Sequence, residues 1–125
     1  MALLQALEQL RPVLDELQTA SARSESRFNL NYGEQYPWGV AQPHLPVLER
    51  VSRVLAWRGS AELAIQSNSR AAEDVSRILD LAWTLRGEPF QSSFLTRNAM
   101  LDNARQIIWE GLADHHWSKG QLGDL

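Results

Sequence analysis

The feature that most restricts this chain is the spacing of its apolar residues, which fall at alternating steps of four and three and never alternate with period two between turn signals. In NSRAAEDVSRILDLAWTLRGEP, residues 68–89, Ala71, Val75, Ile78, Ala82 and Leu85 lie on one side of a helix. Ser69 is the candidate N-cap, with acids in the first turn, and Gly87 and Pro89 are the stop. Leu3, Leu7, Leu10, Leu14 and Leu17 repeat the pattern at the start. Pro12 lies inside that run, so two readings stay open: a kinked helix, or a short turn ending near Leu10 with a new helix carrying the proline in its first turn. From His44 to about Ser67, Leu45, Leu48, Val51, Leu55 and Leu63 form one stripe, while Val47, Val54, Trp57, Ala61 and Ile65 widen it, as expected of a central helix. A last long helix is predicted from about Phe90 to about His115, carrying Phe94, Leu101, Ala104, Ile108 and Leu112. Residues 21–43, with two Gly and two Pro, form a long irregular connection.

The expected fold is therefore all-α: a stack of about four main helices in one domain over 1–125, with antiparallel neighbours where connections are short. At 125 residues and 44% apolar composition the chain is long enough for one core. Its net charge of −3 and scattered arginines leave no electrostatic footprint for nucleic acid or anionic lipid. Without cysteine there is no thiolate metal site or thiol nucleophile. MALLQALEQLRPVLDEL lacks a basic leader and meets charges early, so it reads as neither a signal peptide nor a membrane span. No membrane contact is expected from this segment.

VLAWRG, DLAWTL and QIIWEG place Trp57, Trp83 and Trp109 at equal spacings, one per helix. The pairing of LERVSRVLAWRGSAEL with AAEDVSRILDLAWTL, with small Gly59 in one helix and Ala71, Val75 and Ile78 in the next, is similar to a tetratricopeptide repeat. The run from RFNLNY through PHLPVLERVSRVL, AAEDVSRILDLA, EPFQSSFLTRNAM and HWSKGQL resembles a family of uncharacterised multi-helical bacterial proteins. Proteins of that family are typically longer chains with an N-terminal membrane anchor. The resemblance implies a TPR-like stack, a soluble piece of a membrane-anchored protein, and no known activity.

Three groups of polar or aromatic residues are candidates for function. In NYGEQYPWG, Tyr32, Tyr36 and Trp38 stand beside glycines and Pro37, either to stack on a sugar or peptide or to plug the open side of the stack. Trp38 is expected to be the most covered of them. Arg97 lies in an apolar face, three after Phe94 and four before Leu101, and needs an acceptor. An antiparallel turn at Gly87 puts it level with residues near 77, so Asp74 or Asp80 should pair with it across the helices. In DHHWSKGQL, His115 and His116 point about 100° apart and share no helix face, which is not a metal-ligand pattern. Ser118 and Gln121 instead spell a capping box, with Trp117 and Leu122 as its hydrophobic staple. Asp114, His115 and His116 are then a helix end and a hinge into a helix that the remaining residues do not finish, as in a piece of a longer repeat protein.

No phosphate-loop, dinucleotide, nucleophile-elbow or glycan-acceptor motif occurs, and no cofactor is implied. The expected role is a protein-interaction or scaffolding module whose partner is another protein or further repeats of the same chain. One alternative is a small-molecule or glycan sensor built on residues 32–38. A second is an enzyme with a polar site near Asp74, Arg97 and His44.

Overall fold

The computed structural model describes residues 2–23, 27–33, 36 and 39–125, and every regular element in them is helical. Helix α1 spans Ala2–Leu7, a single 3-10 turn spans Glu8–Leu10, and α2 spans Arg11–Ser21. Pro12 therefore opens a new helix, where its missing N–H costs nothing. Leu7 and Leu14 are buried, whereas Leu3 and Leu10 stay exposed. Helices α3 (His44–Ala64), α4 (Asn68–Thr84) and α5 (Gln91–Ala113) each pack on the other two. Leu55, Val75, Ile78, Met100 and Ile107 are the centre of their shared core. The described residues between α2 and α3 are mostly irregular, broken by short turns, with Val40 the buried one.

Close approach of α3 to α5 depends on Gly59, since a Cβ there would lie 2.7 Å from Ile107 Cδ1. The small residue thus serves α5, not Ala71 of α4.

Two helix ends differ from the sequence reading. Helix α4 starts at Asn68, one residue before the predicted cap Ser69; Ser67 is the N-cap and makes no side-chain cap bond. The Asn68 side chain instead donates to the His116 carbonyl at 2.6 Å, joining the start of α4 to the end of α5. With the helix starting there, no acid falls in its first turn, and the presence of Asp74 needs another cause. Gly87 does not take a left-handed conformation; α4 unwinds through short-range bonds from Leu85 to Ala82, Arg86 to Trp83 and Glu88 to Leu85.

Among the described residues the left-handed positions are Gln66 (φ 58°) and His115 (φ 55°). After α3, Gln66 N–H donates to Leu63 and Ser67 N–H to Glu62; after α5, His115 N–H donates to Leu112 and His116 N–H to Gly111. Both are paired Schellman caps, built without glycine. The two histidines are thus helix-ending residues, and among the described residues no group of three or more His, Asp or Glu could hold a metal ion.

Beyond the cap, Ser118 and Gln121 form the predicted capping box at the start of α6 (Lys119–Asp124). Trp117 is buried, but its seat differs from a staple. Its indole lies against Gly111 and donates Nε1–H to the Ile108 carbonyl at 2.9 Å, while Leu122 remains exposed. Leu125 packs against the core.

This end of α5 yields a pair of opposite expectations. Gly111→Ala drives a Cβ into the rigid indole and should destabilise by about 1 to 3 kcal/mol, outweighing the helix-propensity gain of about 1 kcal/mol. His115→Gly relieves a left-handed residue and should stabilise by about 1 kcal/mol. Thermal melts of the two variants should move in opposite directions.

Candidate functional site

Asp74 is fully buried, and its carboxylate is held by two arginines. Arg58 Nε–H, on α3, donates to Oδ2 at 2.7 Å and its Nη2–H donates to Oδ1, while Arg77 Nη1–H donates to Oδ1 at 3.1 Å. Arg77 also donates to the Gln18 side chain at 2.7 Å, which ties α2 to α4. The hydrogen bonds to Asp74 raise the Arg58 pKa above its ordinary value, against the opposing effect of burial. With both carboxylate oxygens held by arginine, the cluster fastens helices together.

The predicted pairing of Arg97 with Asp74 or Asp80 is not formed. Arg97 lies over the Trp83 ring, 5.7 Å from its centroid, and no carboxylate among the described residues pairs with it. Helix phase accounts for the difference. Trp83 follows Asp74 by nine residues at about 100° each, so the two point to opposite sides of α4. Asp74 faces α3, and Asp80 is exposed. Asp74 and Arg97 thus belong to separate contact sets and do not make one polar site.

His44 belongs to a third set. Its Nε2 lies 2.7 Å from Glu88 Oε1, and Ser93 Oγ–H donates to the other carboxylate oxygen. Ser92 Oγ–H donates to the Gln42 side-chain oxygen at 2.5 Å. Both the His44 and Glu88 side chains are largely buried, and His44 Nδ1 has no partner. Glu88 stands between the histidine and the serine, so the imidazole does not touch Ser93 Oγ and cannot activate it; a nucleophilic triad needs the histidine in the middle. The cluster anchors the start of α3 to the α4–α5 turn.

Over that anchor runs the segment 27–32. Phe28 stacks on His44 with centroids 4.2 Å apart, and Tyr32 stacks on Phe90 at 5.9 Å. Arg27 lies over the Tyr32 ring at 5.2 Å, and Arg86 lies over Trp83 at 4.7 Å. Between the segment and the turn is an open groove of about 770 Å3, lined by Arg27, Phe28, Tyr32, Thr84, Arg86 and Glu88, with Gly87 and Pro89. Of the aromatic trio singled out in the sequence, Tyr32 (41% exposed) reaches this groove; Tyr36 is exposed but not among its lining residues. Trp38 lies outside the described residues.

No local pattern in the sequence marks Arg27, Phe28, Arg86, Glu88 and Ser93 as a set. Glu88 reads in sequence as part of a helix stop, and its contact with His44 spans 44 residues. RFNLNY carries no local signal that Arg27 and Phe28 each meet an aromatic ring. No protein-family model, curated protein or solved structure matches the chain.

Removing Arg58 leaves the buried Asp74 with Arg77 alone. Arg58→Ala should therefore cost near the low end of the ~3 to 5 kcal/mol typical of breaking a buried pair. Arg53→Ala, which breaks an exposed pair with Glu49, should cost less than about 1 kcal/mol. Urea unfolding of both variants checks the difference.

Proposed function

We propose that the chain is a protein-interaction module of helical-repeat, TPR-like type, and that the groove beside Tyr32 receives an acidic, extended peptide segment. The observation that carries the reading is the pair of guanidiniums lining the groove, Arg27 resting on Tyr32 within it and Arg86 on Trp83 beside it, both with their charge exposed. Arginines set in this way recognise carboxylates at little cost in side-chain entropy. The Glu88 carboxylate in the same groove is already engaged by His44 and Ser93, so it opposes an anionic ligand less than a free acid would.

The repeat reading draws on the order of helix contacts. Ser52 with Asn103 and Gly59 with Ile107 rise together along α3 and α5, while Arg58 and Asp74 meet across the α3–α4 turn. That order fits α3 and α5 as corresponding helices with α4 reversed between them. Trp57, Trp83 and Trp109 are all exposed, as recognition positions on successive helices would be. The resemblance to membrane-anchored bacterial proteins would make this a soluble interaction domain of such a chain. A glycan platform is less well supported, because the Tyr32 ring is already engaged by Phe90 and Arg27.

Titration calorimetry with a short Glu-rich peptide tests the reading. Binding should weaken with added salt, and Arg27→Ala and Arg86→Ala should each weaken it several-fold. Equal binding of a Lys-rich peptide, or binding only of a neutral oligosaccharide, would rule it out.

A further inference from the structure

A second surface lies on the outer side of the α4–α5 seam. On α5, Phe94, Leu101 and Ile108 follow one another at steps of seven, with Leu112 four further on, which sets them in a line along the helix. Leu79 and Trp83 provide the facing line on α4. Arg97 lies between Phe94 and Leu101 in sequence and reaches over the Trp83 ring, so the two lines open to the same side. Leu79, Leu101 and Ile108 are only partly buried, and Trp83 (57%) and Phe94 (60%) are largely exposed.

The chain's own α6 lies beside the outer face of α4 near its start. Gln121, Asp124 and Leu125 of the α6 region share a cavity with Ala72 and Ser76 of α4, and Leu125 packs on the core. Towards Trp83 and Phe94 the seam lies open. At that open end Arg97 Nε–H is buried without an acceptor. The Nη side of the same guanidinium is not sealed off, so a carboxylate brought by whatever covers the seam can reach the charge there.

We propose that the open part of the seam is the docking groove for one amphipathic helix of a partner protein, laid in line with α6 and bringing a carboxylate to Arg97. The complementarity has two parts. The apolar face of such a helix, spaced at i, i+3 or i+4, and i+7, meets Trp83, Phe94 and Leu101, and an acid within that face meets the guanidinium. The surface adjoins the groove beside Tyr32 at Trp83, whose ring carries both Arg86 and Arg97, but it takes a helix instead of an extended strand.

The test uses a synthetic amphipathic helical peptide with leucines at that spacing and one Glu in its apolar face, together with versions carrying Gln or Lys in place of the Glu. The Glu peptide should bind about tenfold more tightly than the Gln peptide, and the Lys peptide more weakly than either. Arg97→Gln should remove the difference between Glu and Gln, a change that loss of packing alone would not produce. Phe94→Ser should weaken all the peptides while leaving the melting curve and helix content unchanged, because the ring is not part of the core. Arg27→Ala should leave helix binding unaltered, which separates this surface from the acidic-peptide groove. Equal binding of the Glu and Lys peptides, indifference to Phe94→Ser, or no binding at all would overturn the proposal. So would a monomer–dimer equilibrium in sedimentation that Phe94→Ser abolishes, since the occupant would then be a second copy of the chain.

Discussion

A carboxylate removed wholly from water is tolerable only where charged donors surround it, and Asp74 imposes that condition on the structure. Arg58 must come from α3 and Arg77 from its own helix, and Arg77 in turn holds Gln18 of α2. The arrangement therefore selects one mutual placement of three helices from the many that apolar stripes alone would accept. Hydrophobic burial around Leu55, Val75 and Ile78 supplies the bulk of the stabilisation, but such contacts tolerate sliding and rotation. A buried ion pair with direct hydrogen bonds does not.

Helical content was legible in the sequence because burial imposes a period, and the four-three spacing of Ala71, Val75, Ile78 and Ala82 reports it directly. The capping box at Ser118 and Gln121 was legible for a similar reason: its partners are three residues apart and need nothing from the rest of the chain. Long-range polar pairing was less so. An arginine in an apolar stripe signals that a partner is needed, yet the error over Arg97 shows that register without helix phase is not enough. Its sequence neighbours placed it beside a core, whereas it lies at the edge of an uncovered seam.

The two surfaces assigned to binding share a physical character. Each combines arginine with exposed or half-exposed aromatic rings, and among the described residues no carboxylate pairs with Arg27, Arg86 or Arg97. Cations parked on rings stay ordered without being neutralised, so their field is directed outward. This gives a chain of small net negative charge two local positive features beside apolar surface, although its overall composition carries no such signal.

The way α2 is attached bears on how the molecule opens. Its buried Leu14, half-buried Leu17 and the Gln18–Arg77 hydrogen bond lie at the margin of the core, while α3, α4 and α5 enclose one another. Amide protons of the amino-terminal arm should thus exchange with solvent through small, local openings, and those of the three central helices only through the loss of the common core. Each such opening would take the glutamine away from Arg77 and bring water nearer to Asp74. Detachment of the arm would in this way slacken the one charged cluster that sets the angle between α3 and α4, linking a peripheral fluctuation to the geometry of the interior.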